Sequence, residues 1–103
     1  MISLDDAPFD PGALLTAFSA DRVNTGAVVS FTGLCRAEDG VEALELEAYP
    51  GFTEAEIARE AEASVARFAL DDVLIRHRTG RIAPGETIVF VATAARHLSL
   101  IHI

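Results

Sequence analysis

"TIVFVATAA", Thr87 to Ala95, is the stretch that decides the fold. β-Branched and aromatic residues alternate along it, which favours a strand. Ile88, Phe90 and Ala92 fall on one face; Val89 and Val91 fall on the other. A strand apolar on both faces has to be covered on both, so this one is expected at the centre of a sheet.

The neighbours of this segment build outward from it. "APGE", Ala83 to Glu86, reads as a tight turn, and "DVLIRHRTG", Asp72 to Gly80, as a further long strand before it. Upstream, Thr53 and Glu56 have the spacing of a capping box, with Thr53 as N-cap of a helix running to about Phe68. Ile57, Ala61, Val65 and Phe68 make its apolar stripe, and Glu54, Arg59, Glu60 and Glu62 lie on its wet side. "VEALELEAY", Val41 to Tyr49, alternates apolar and polar and reads as a strand with one wet face. It is the expected antiparallel partner of "GAVVSFTGLC", Gly26 to Cys35, from which the polar loop "RAEDG" separates it. Near the start, Asp10 and Pro11 supply an N-cap and a first helical residue, followed by Leu14, Leu15 and Phe18 at helical spacing. "MISL" is a candidate edge strand. The order of helix, two strands, helix, two strands predicts a single α+β domain, a two-layer fold with helices covering one face of a mostly antiparallel sheet.

Composition narrows the function. The chain has 103 residues, half of them hydrophobic, which allows one packed core and little more. Sixteen acids against eight bases give a formal charge of -8. That disfavours a nucleic-acid or anionic-membrane binder, since phosphate contact needs a basic face. It leaves room for a small anion held by a local arginine. All eight bases are arginine and none is lysine. Cys35 is the single cysteine, so no internal disulfide forms, and with no signal peptide legible the expected compartment is the cytoplasm. No apolar run is long enough to span a membrane.

The residues that could carry chemistry are few. Arg36 ends a strand beside a polar loop; it is either a surface arginine or a bidentate holder of a phosphate. Cys35 reads as a small, partly buried thiol rather than a nucleophile, because no base lies beside it in sequence. His77 and Arg78 are adjacent on a strand and point opposite ways, so one of them is expected to be buried. His97 follows the last strand, and His102 lies five residues on, which matches no common zinc spacing. Glu45 and Glu47 share a strand face and read as solvated charges.

Together, "GAVVSFTGLCR", "LELEAYPGFTEAEI", "IRHRTGRIAPGETIVFV" and a histidine just after that strand resemble the large, catalytic subunits of molybdopterin synthases, over about Gly26 to His97. The resemblance implies an α/β hammerhead fold and a homodimer, with a small ubiquitin-like sulfur-carrier subunit bound at each end. It implies transfer of two sulfurs, from the carrier's C-terminal thiocarboxylate to cyclic pyranopterin monophosphate, to make the dithiolene of molybdopterin. No permanently bound cofactor and no metal are implied. By the same resemblance Leu34, Cys35, Arg36 and His97 line the substrate site. Phe31 either packs beside the carrier's tail or is a core phenylalanine, and His77 with Arg78 is structural. The chain departs from the family after His97. Leu98 stands where an arginine is usual, and the two functional lysines of the family have no counterpart, because the chain has no lysine. "LSLIHI" resembles a translated sequencing-adapter tail, so the expectation is a truncated gene product: residues 1–97 family-like, 98–103 a non-native tail, and no catalytic residue retained. The alternative is a natural short homologue that dimerises or binds the carrier without catalysis.

Overall fold

The computed structural model describes residues 2–36, 44–46 and 52–97. Its elements are β1 (Ile2–Asp5), α1 (Pro11–Ser19), β2 (Ala27–Leu34), β3 (Leu44–Leu46), α2 (Phe52–Phe68), β4 (Asp72–Arg78), β5 (Gly80–Ile82) and β6 (Thr87–Ala95). A four-stranded sheet runs β1-β4-β6-β2, and β3 pairs with β5 in a second, two-stranded sheet. β6 lies inside the larger sheet with β4 on one side and β2 on the other, both antiparallel. That is the position expected for a strand apolar on both faces. β1 is an edge strand, as "MISL" suggests, and pairs parallel to β4.

Each helix begins for a local reason. The Asp10 carboxylate accepts the Gly12 N–H at 2.9 Å, and Pro11 opens α1 with its missing donor at a position that needs none. α2 starts at Phe52, one residue ahead of the expected N-cap Thr53, whose side chain lies outside the described residues. Further along α2, Glu56 pairs with Arg59 one turn on.

The core forms where α1 meets the sheet. Phe18 packs with Phe90, Ala92 and Ala94 of β6, and Phe9, Leu14, Leu15, Val28 and Leu74 close around them. Ala92 and Ala94 are wholly buried. Their small side chains let the aromatic ring of Phe18 approach the strand directly. Burial of a ring this size contributes roughly 1.5–3 kcal/mol. Arg22 fastens the end of α1 to β4: its guanidinium lies 4.1 Å from the Phe18 ring centroid, bonds the Phe18 carbonyl, and meets the Asp72 carboxylate at 2.7 Å.

α2 takes the other face. Leu74 points to α1, so its neighbour Val73 points away, and Val73 with Ile2 faces Ala58, Ala61 and Val65 of α2. The sheet therefore carries one helix on each face, rather than both on one. The reason is the pleat: β4 has apolar residues at both parities, and each set has to be covered.

Pairing differs from the local expectation in two places. β3 does not partner β2; it pairs with β5, through Leu44↔Ile82 to Leu46↔Gly80. The stretch read as one strand to Gly80 is interrupted at Thr79, whose N–H makes the last rung beside β1, donating to the Asp5 carbonyl at 2.8 Å. Gly80, at φ +78°, redirects the chain into β5. The remainder of Val41 to Tyr49, including Glu47, the "RAEDG" residues after Arg36, and 98–103 with His102 all lie outside the described residues, as does the side chain of Glu45. Among the described residues no helix is long and apolar enough to cross a membrane.

Candidate functional site

The end of β2 is where the sequence places most of its candidate residues, and its backbone is unusual there. β2 and β6 pair regularly as far as Gly33↔Val89, then shift, so that Leu34 pairs with Thr87. Ile88 is the extra residue, a bulge at the end of the ladder. Beyond it the chain is held by the turn at residues 83–86. The Cys35 N–H donates to the Glu86 carbonyl at 2.9 Å, and the Gly85 N–H donates to the Cys35 carbonyl at 2.8 Å. Both backbone groups of Cys35 are thus satisfied by one turn.

The side chains follow from that placement. Cys35 is 2% exposed, and its thiol donates to the Ile82 carbonyl with a sulfur–oxygen distance of 3.6 Å. It is the buried thiol expected from its type, anchored and inaccessible as a nucleophile. Leu34 and Arg36 on either side point outward and are exposed. Phe31 is 62% exposed, which removes the reading of a core phenylalanine and leaves a ring available for contact. Leu34, Cys35 and Arg36 therefore make one continuous rim, apolar on one side and cationic on the other.

Beneath the rim is an ion-pair network that the sequence does not reveal. Arg78 is 5% exposed. Its Nη1 donates to Glu86 Oε2 at 3.0 Å, and its Nη2 to the carbonyls of Asp6 and Arg81 at 3.3 and 3.2 Å. The other carboxylate oxygen of Glu86 accepts the Ala83 N–H at 2.7 Å and closes the turn. The Ala83 N–H, and after it the Arg78 guanidinium, hold the Glu86 carboxyl below its ordinary range. Of the adjacent pair, Arg78 is the buried member. His77 is half-buried on the opposite face, its Nδ1 2.7 Å from the Arg78 carbonyl.

His97 is not part of this rim within one chain. It follows β6 at the end where Ala95 pairs with Ala27, whereas Arg36 follows β2 at the end where Leu34 pairs with Thr87. Seven strand steps separate the two ends of that ladder. At roughly 3.3 Å per residue the gap is about 23 Å. His97 and Arg96 are exposed, beside Gly26, whose N–H donates to the Ala95 carbonyl at 2.9 Å.

The chemistry open to the rim is recognition. An exposed arginine at a fixed backbone position can fork onto a phosphate. Two apolar clefts lie elsewhere. One of about 360 Å³ sits between α2 and the β1–β4 edge, and one of about 330 Å³ sits beside α1; neither is lined by Leu34, Cys35, Arg36 or His97. Among the described residues no three His, Cys, Asp or Glu side chains gather as a metal site would require.

The sequence and the fold have close counterparts. The MoaE protein family matches residues 4–99. A relative from Caulobacter vibrioides, the "Molybdopterin synthase catalytic subunit", is 62% identical over 98 residues, which is 94% of this chain and 65% of that protein. The solved "Molybdopterin biosynthesis MoaE protein" of Burkholderia ambifaria superposes with a TM-score of 0.85 at 39% identity, over 97% of this chain and 67% of that one. A chain from the Helicobacter pylori "Protein-protein complex of subunit 1 and 2 of Molybdopterin-converting factor" shares the fold, with a TM-score of 0.82 at 18% identity, over 96% of this chain and 68% of that one. The chain spans less than two thirds of the length of the curated relatives it matches.

Proposed function

The chain belongs to the MoaE protein family, and from that membership we propose that it provides the substrate-binding part of a molybdopterin synthase catalytic subunit in molybdenum cofactor biosynthesis. The reaction is sulfur transfer from the C-terminal thiocarboxylate of a small carrier subunit to cyclic pyranopterin monophosphate. Two sulfurs are added, forming the dithiolene. The substrate is an anion, and the observation that carries this reading is the rim at the end of β2. A bulge and a turn together fix the backbone of Cys35, so Arg36 is presented from a rigid base. A side chain carried on fixed backbone loses less freedom on binding phosphate than one carried on a mobile segment.

Arg36 supplies charge and fork geometry to the phosphate. Leu34 and the exposed ring of Phe31 supply apolar surface, against which the carrier's C-terminal tail can pack behind its thiocarboxylate. Cys35 serves through its backbone, because its thiol is buried. His97 belongs to the same site only if two copies of the chain build it. Arg36 and His97 stand at opposite ends of one ladder, so a homodimer that brings the β2 end of one copy against the β6 end of the other completes the set. The cytoplasm, where the carrier would be loaded, is the proposed compartment.

These residues bind; they do not supply an amine. The chain has no lysine, and arginine stays protonated, so it cannot act as an amine nucleophile or base. The 103-residue polypeptide is therefore expected to hold carrier or substrate without completing the transfer. The test is a purified reconstitution with thiocarboxylated carrier and pterin substrate, read as molybdopterin formed, beside a carrier pull-down. Carrier binding without product fits the proposal. Product from this polypeptide refutes its inactivity, and absence of both carrier and substrate binding refutes the assignment of the rim.

A further inference from the structure

Arg78 is the buried charge among the described residues, and a buried guanidinium is retained at a cost unless its bonds are used. Its three bonds reach three separate segments: Asp6 after β1, Arg81 in β5, and Glu86 in the turn. Glu86 uses both carboxylate oxygens, one on Arg78 and one on the Ala83 N–H. The turn so closed carries the Cys35 backbone through two hydrogen bonds, at the point where the regular β2–β6 ladder has ended. The chain of contacts is continuous: Arg78, Glu86, the 83–86 turn, Cys35, Arg36.

From this we infer that Arg78 and Glu86 are positioning residues, which set where the Leu34–Arg36 rim stands and so how Arg36 meets a phosphate. This role requires no contact between the pair and substrate. Its role as an anion-site support rests on the reading of Arg36 given above, whereas its hold on the rim does not. The alternative is that the pair only stabilises the whole domain. The two differ in reach. A general stabiliser raises the opening free energy of every protected amide together, and a positioning pair acts on the turn and the rim.

The experiment uses the 103-residue chain, with variants Glu86→Gln, Arg78→Lys and Arg78→Met. Native-state hydrogen exchange is read at the Cys35 and Gly85 amides against Ile75 and Val91 in the centre of the sheet. Inorganic phosphate is titrated in parallel. Glu86→Gln keeps the shape but turns one of two acceptors into a donor, facing either Arg78 or the Ala83 N–H. It should speed exchange at Cys35 and Gly85 by about tenfold or more and leave the central amides unchanged. Arg78→Lys keeps the charge but not the three-way fork, so it should fall between parent and Arg78→Met. Phosphate affinity should drop by about tenfold in Glu86→Gln, and Glu86→Gln should cause no further drop in the Arg36→Ala background. Uniform acceleration at all amides, or none at Cys35 and Gly85, overturns the inference. Additive losses in the double variant overturn the route through Arg36. If the parent binds no phosphate while exchange loosens only at the rim, the reading of Arg36 fails and the positioning of the rim is upheld.

Discussion

Gly26 offers the sharpest test of the packing beside His97. A Cβ built on Gly26 would stand 2.1 Å from the Arg96 carbonyl oxygen and 3.1 Å from its carbon. Real Cβ atoms essentially never approach another heavy atom within 3.0 Å, so Gly26→Ala requires a separation of nearly 1 Å more. The opposing atoms are backbone, with no rotamer to turn. The strand end has to move, and the Gly26 N–H bond to the Ala95 carbonyl, 2.9 Å long, moves with it. Overpacking of this kind costs about 1–3 kcal/mol. For a domain of this size each kcal/mol lowers Tm by about 4–8 °C. Gly33→Ala is the control. Its Cβ would meet Val89 Cγ1 at 2.8 Å, a side-chain methyl that can rotate aside. Thermal melts by circular dichroism should rank parent above Gly33→Ala above Gly26→Ala, and the His97 ring resonances should shift only in the last. A Gly26→Ala variant that melts with the parent and leaves His97 undisturbed would refute the close approach of Gly26 to Arg96.

Two further expectations concern the core and its fastening. Phe90 is 1% exposed between α1 and the sheet, so Phe90→Ala should cost about 3–5 kcal/mol and leave little folded protein, as chemical denaturation would show. Asp72 is held below its ordinary value of 3.8, first by the hydrogen bond from Arg22. A carboxylate with a lowered pKa adds stability above its unfolded pKa, and that stability is lost as pH falls through the folded one. Half of the Asp72 side chain is exposed, so the loss in Asp72→Asn should be at most about 1 kcal/mol at neutral pH. It should fade below the ordinary value, and a difference that persists undiminished into strong acid would contradict the pairing.

The contrast between Arg36 and His97 shows how far a sequence reaches. Both were legible as candidates, since each stands at a strand end in a stretch that resembles one family. Their separation by a full ladder was not legible, because distance along a sheet depends on which strands pair. Arg78 is the complementary case. The alternation of a strand predicts that either His77 or Arg78 is buried, but says nothing of which. The choice came from Asp6, Arg81 and Glu86, which converge only in three dimensions.

What the sequence alone determined is local or periodic. The Asp10–Pro11 start of α1, the turn at 83–86, the two-faced apolarity of β6 and the edge character of β1 all follow from residue type and spacing. These preferences act over a few residues, so a single chain displays them. Tertiary structure decided the rest: β2 beside β6 instead of β3, β3 beside β5, and one helix on each face. It also decided that the turn at 83–86 carries Cys35. The physical reason is that strand pairing joins residues 53–68 positions apart in β2 and β6, as in Leu34↔Thr87 and Ala27↔Ala95. Burial of both faces of β4 and β6 selects among the possible pairings, and that selection is a property of the whole core.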